Sequence, residues 1–108
     1  MEIKEFKARS NHIRAAYHQL EVKQDGHPWN TEQDALAFLT DAALVGRLVM
    51  DKQGSWPSED NMFSLDYKIA ESMWWLNSIA TANNIDIETA LKSFLEAREK
   101  YTSVNNRD

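Results

Sequence analysis

Cysteine is absent from this 108-residue chain. Its absence excludes disulfides, zinc–thiolate sites and a thiol nucleophile. Glycine (3) and proline (2) are scarce, and so few breakers leave room only for few, long elements. No apolar run approaches the roughly 18 residues of a membrane span. The start, MEIKEFKARS, is charged from its second residue and lacks an apolar h-region. It therefore reads as no signal peptide, and the expectation is a cytoplasmic protein with no membrane partner. An excess of positive charge is also missing. The formal net charge of −5 argues against a nucleic acid polymer as partner, though not against a nucleotide held through a metal. There is no phosphate-cradling glycine loop and no serine in a nucleophile-elbow context, so covalent catalysis has little support and no catalytic residue is assigned. His12, His18 and His27 lack the i, i+4 spacing of a helical metal pair, which speaks against a histidine-based zinc site.

What remains is a pattern of helices. The length suits one domain with one core, and a hydrophobic fraction of 43% is ordinary for a globular chain. Residues 1–108 are expected to form a single all-α, four-helix domain with a frayed tail from about Thr102. The first helix runs from about Ile3 to Gln24, with Ile3, Phe6, Ile13, Tyr17 and Leu20 at helical spacing, and Asp25-Gly26-His27-Pro28 breaks it. Asn30 then has the look of an N-cap with Gln33 as its capping-box partner, and the second helix continues to about Lys52. Gly54-Ser55-Trp56-Pro57-Ser58 opens a polar loop to about Phe63. Ser64 caps a third helix to about Ala82, Asn83-Asn84 turns, and Asp86 caps a fourth carrying Ile87, Ala90, Leu91, Phe94, Leu95 and Tyr101 on one stripe. Helices two and three are apolar around most of their circumference, so both should be central. A bundle this small cannot hide both, which points to burial of part of them, Trp74 or Trp75 included, against another subunit.

Two acids stand out in those helices. FLTDAALVGRLVMDKQG (residues 38–54) holds Asp41 and IAESMWWLNSIA (residues 69–80) holds Glu71, each inside an otherwise apolar run. A buried charge needs a partner. One partner is a divalent ion, but such a site on a bundle wants three or four oxygens from i, i+3 pairs, and the paired positions are Leu44 and Lys68. Asp34, Asp51 and Asp66 contribute only if the backbone brings them round. The other partner is Lys68 itself, its ammonium standing where a cation would. Lys52 suits the C-terminal end of its helix dipole, or reaches an anionic ligand. Among the four tryptophans, Trp29 precedes a helix and is the better candidate for stacking a base, while Trp74 reads as core or subunit interface. Asn77, in mid-helix, bonds either a ligand or a neighbouring carbonyl.

The order of these pieces over roughly residues 10–101 resembles the MazG-like all-α nucleoside triphosphate pyrophosphohydrolases. YHQLEVKQDGHPWNTEQDALAF (residues 17–38) looks like their first helix and entry loop. FLTDAALVGRLVMDKQG looks like the second helix, which carries the motif EExxE. IAESMWWLNSIATANN (residues 69–84) looks like the third, with ExxD, and IDIETALKSFLEAREKY (residues 85–101) like the closing helix. The resemblance implies a four-helix protomer assembling as a homodimer or homotetramer, Mg²⁺ held by the motif acids, and cleavage of a nucleoside triphosphate to monophosphate and pyrophosphate in house-cleaning of surplus nucleotides. EExxE falls on Thr40, Asp41 and Leu44, and ExxD on Lys68 and Glu71. Asp41 and Glu71 are thus the implied metal ligands, and Trp29, Lys52, Lys68 and Asn77 the implied substrate contacts. The lysine and asparagine often found in the fourth helix of active members have no evident counterpart here; Phe94 and Arg98 lie nearby. For the four-carboxylate cage that the resemblance implies at positions 41, 44, 68 and 71, Leu44 removes one negative charge and Lys68 replaces another with a positive one, so the formal sum goes from −4 to −1. A site so depleted has little need of a divalent ion. The expected activity is weak or lost, and the alternative is a non-catalytic nucleotide-binding or protein-interaction module on the same bundle.

Overall fold

The computed structural model describes residues 1–55 and 63–102. Among them are four helices and no strand: α1 (Ile3–Asp25), α2 (Thr31–Lys52), α3 (Leu65–Ala82) and α4 (Ile87–Tyr101). The all-α expectation holds, with helix ends within a residue or so of those read from sequence. Trp56 and most of the polar loop, and nearly all of the tail expected to fray, lie outside the described residues.

The helix ends agree with local sequence chemistry in three places. Gly26 sits in the left-handed region (φ 85°), and its amide returns to the Val22 carbonyl, closing α1 in a conformation that costs glycine little. Asn30 Oδ1 accepts from the Gln33 amide at 2.9 Å and Gln33 Oε1 accepts from the Asn30 amide at 3.0 Å, a complete capping box. Asp86 accepts from both the amide (3.0 Å) and the hydroxyl (2.7 Å) of Thr89. The exception is Ser64. It occupies the N-cap of α3 with extended backbone, but its side chain caps no amide.

Packing is uneven. α2 lies along α3, α1 packs on α3, and α4 leans on α1 and α3 with no buried residue of its own. α2 and α3 are the most closely packed pair, yet one protomer does not hide their apolar sides, as their breadth in the sequence led us to expect. Among the described residues the buried apolar side chains are Trp75 and Ala80, whereas Leu36, Leu39, Met73, Leu76 and Phe94 are exposed. Buried instead are Ser10, Arg14, Glu21, Asp34, Asp41, Lys68, Asn77 and Ser78. The Cα radius of gyration is 17.1 Å, against about 13 Å for a compact chain of this length. The helices splay, and their stripes stay uncovered.

The Lys7–Asp86 ion pair ties α1 to the start of α4. Lys7, then the Thr89 hydroxyl and amide, hold the Asp86 carboxyl at about 2, below its ordinary 3.8. Because the folded value is the lower one, the stabilisation is present above pH 3.8 and is lost as pH falls through about 2. Substituting Asp86→Ala should fray the first turn of α4 at neutral pH, seen as a shift of the Thr89 amide resonance. The wild-type protein should show that shift only in the acid window.

Candidate functional site

Asp41 and Glu71 do meet, and Lys68 lies between them. Lys68 Nζ donates to Asp41 Oδ1 at 3.1 Å and to Glu71 Oε1 at 2.8 Å. The second oxygen of Asp41 accepts from the Trp75 indole at 2.8 Å. Lys68 is 5% exposed and Asp41 8%. The ammonium also stands 4.1 Å from the Phe63 ring centroid and 5.9 Å from that of Tyr67, where the negative faces of the rings favour a cation. Local spacing explains half of the geometry: Lys68 and Glu71 are i, i+3 on α3 and so share a face. Tertiary packing supplies Asp41 from α2. Burial alone would lower the Lys68 pKa, but the bonds to Glu71 and then Asp41 outweigh it and the group is held above its usual range.

A second cluster of the same design was missed in the sequence. Arg14 on α1 donates to Glu21 Oε2 (2.7 Å) and to Asp34 Oδ1 on α2 (2.6 Å). Glu21 Oε1 accepts from the Trp29 amide at 2.7 Å. Burial opposes the charge on Arg14, but the bonds to Glu21 and Asp34 more than offset it and raise its pKa. Trp75 joins the two clusters. Arg14 lies over its ring at 5.1 Å, its indole N–H serves Asp41, and Trp29 stacks on it with centroids 6.3 Å apart at 14°. Heptad spacing shows that Arg14 and Glu21 share a face, but not that Asp34 meets them. Arg14 and Glu21, Asp34 and Asp41, and Lys68 and Trp75 are each seven positions apart, so each pair lies on one helical face two turns apart.

The other sequence candidates fall in different places. Trp29 has its indole N–H on Asp25 at 3.0 Å, so it is anchored by stacking and hydrogen bonding rather than presented by a free loop. Asn77, 1% exposed, donates to Asn11 Oδ1 at 3.0 Å. Within the protein its partner is thus a side chain of α1 rather than a backbone carbonyl, and the pair stitches α3 to α1. Lys52 lines a separate cleft at the end of α2 with Asp51, Phe63, Ser64 and Asp66. Leu44 is at the surface. Asp34 serves Arg14 rather than the Asp41 cluster.

The donor set does not suit Mg²⁺. That ion prefers octahedral coordination by oxygens and waters. Here both oxygens of Asp41 are engaged, Glu71 is paired with an ammonium, and among the described residues no group of three or more His, Asp or Glu is placed to hold a metal. No family model, curated protein or solved structure matches this chain.

Truncating one member of a buried ion pair leaves the other uncompensated, which costs about 3–5 kcal/mol. Lys68→Ala should therefore destabilise strongly in urea unfolding at fixed protein concentration. Asp41→Asn/Lys68→Met should recover much of that loss, since the asparagine carbonyl still accepts from Trp75. The pKa of Lys68 is raised in the folded state, so the ion-pair contribution should persist to about pH 10 and decline above it.

Proposed function

We propose that this chain is a self-associating helical interaction module on the MazG-like plan, in which a buried lysine stands in place of the metal ion and pyrophosphohydrolase activity is lost or residual. The observation that carries the reading is the Lys68 ammonium bridging Asp41 and Glu71 while Trp75 takes the remaining oxygen of Asp41. A divalent ion about 4 Å from that ammonium would be opposed by roughly 8 kcal/mol at an effective dielectric of 20. The two carboxylates attract the ion, but with both Asp41 oxygens and one of Glu71 already hydrogen-bonded they leave few oxygens to coordinate it. Without the ion, nothing in the cluster activates a water or neutralises charge developing on a triphosphate.

The exposed apolar stripes support the assembly half of the reading. On α2, Leu36, Leu39, Ala43, Gly46 and Met50 are exposed with heptad-like spacing, and on α3 so are Ile69, Met73 and Leu76. α2 and α3 pack side by side. Such a pair presents two apolar seams, and a second copy closes them into a four-helix bundle by knobs-into-holes packing. Burial of these seams supplies the core that a single protomer lacks. Stable interfaces of this kind bury about 1,600 Å² or more in total.

Two measurements test the reading. Sedimentation equilibrium should give a dimer or tetramer at micromolar concentration, and Leu39→Glu/Met73→Glu should dissociate it; a stable wild-type monomer overturns self-association. Calorimetry should show Mg²⁺ binding weakly to the wild type and more tightly to Leu44→Glu/Lys68→Glu, and pyrophosphate release from nucleoside triphosphates should stay near background whether Mg²⁺ or EDTA is added. Equal Mg²⁺ affinity in the two proteins would sink the lost-metal reading.

A further inference from the structure

The two clusters are formally short of positive charge. Four carboxylates (Glu21, Asp34, Asp41, Glu71) share two cations (Arg14, Lys68). Between the clusters lies a cleft of about 310 Å³ whose walls include Glu21 from one and Glu71 from the other, together with Tyr17, Trp29, Trp74 and Trp75. Among the described residues no lysine, arginine or histidine lines it. Its aromatic walls are organised: Trp29 stacks on Trp75, and Trp74 is edge-on both to Trp75 (4.8 Å) and to Tyr17 (5.7 Å). Trp74 is held by its indole N–H on the Ser10 carbonyl at 3.3 Å. Glu71 gives one oxygen to Lys68 and keeps its side chain 28% exposed.

We infer that this aromatic and acidic cleft between α1, α3 and the Trp29 loop binds a small organic cation, an alkylammonium. The protein already handles its own cations in this way, with Lys68 and Arg14 each set between two carboxylates and against an aromatic face. A third cation in the cleft would meet the exposed part of Glu71 and the aromatic walls, with Glu21, whose oxygens are taken by Arg14 and the Trp29 amide, adding only its field, and it would offset the residual charge. Ring faces attract a weakly hydrated ammonium. They offer nothing to a hydrated divalent ion, which needs several oxygens. An anion, a phosphate included, would meet two carboxylates. The volume is that of a small-ligand site. The inference does not rest on the self-association reading, because all the named walls belong to one protomer.

The test uses the full chain in its native assembly state. Tryptophan fluorescence is followed while tetramethylammonium or 1,4-diaminobutane is added at constant ionic strength, with tert-butyl alcohol as a neutral analogue of the same size and shape as the first. A saturable change is expected, with the ammonium at least tenfold tighter than the alcohol. Glu71→Gln should weaken it by about tenfold, as loss of a charge-assisted contact does. Tyr17→Leu, at an exposed position, should weaken it without unfolding the chain. Equal binding of the alcohol, or binding indifferent to both substitutions, overturns the assignment. So does the absence of a saturable signal. Binding of N-acetyl-lysine amide without the diamine overturns a free amine as the ligand, and saturation by adenosine alone reassigns the cleft to base stacking.

Discussion

Taking a charge out of water is tolerated only if an opposite charge and hydrogen bonds replace the solvent, and half of this protein's described buried residues are charged groups under that constraint, against two apolar ones. Arg14 and Lys68 each sit between two carboxylates, and Trp75 connects them by offering its face to one cluster and its N–H to the other. The relative placement of α1, α2 and α3 follows from these contacts. Arg14 joins α1 to α2, Lys68 joins α3 to α2, and Asn77 joins α3 to α1. Ion pairs are directional and spaced by side-chain length, so they specify orientation at some expense of stability.

An interior occupied by charge changes the role of the apolar residues. Leu36, Leu39, Met73 and Leu76 lie on the outside of the helix pair. The hydrophobic stabilisation that such residues normally contribute to folding becomes available only when another surface covers them. On the proposed self-association, folding and association are coupled, and the stability of the protomer is not separable from its concentration. The same division of labour bears on the site. A bundle whose centre must stay charged needs its charges balanced. Lys68 supplies that balance with a covalently attached ammonium held between Asp41 and Glu71; on the proposed reading it stands where a metal would, without a metal's Lewis acidity.

How much of this was legible depended on distance along the chain. The helix ends were, because caps are local: Asn30 with Gln33, Asp86 with Thr89, and Gly26 returning to Val22 each act within four residues. Ser64 shows the limit. It stands at the cap position without making the bond, since a residue type permits a cap but does not aim the side chain. Lys68 beside Glu71 was legible as an i, i+3 pair, and a lone acid in an apolar helix marked Asp41 as the third member. The Arg14 cluster was not, because its partners are 7 and 20 positions away on two helices and an arginine in a polar first helix looks like any solvated residue.

Local propensity and periodicity by themselves determined that the chain is helical, where each helix starts and stops, and that an acid in each of the two central helices needs a counter-charge. Those properties depend on neighbours within a turn or two. Tertiary structure alone decided that the counter-charge is an ammonium already hydrogen-bonded to both acids, that a second cluster mirrors it, and that tryptophan rings wall the space between. These depend on how three helices cross, and the crossing is set by side chains distant in sequence that meet only once the chain has folded.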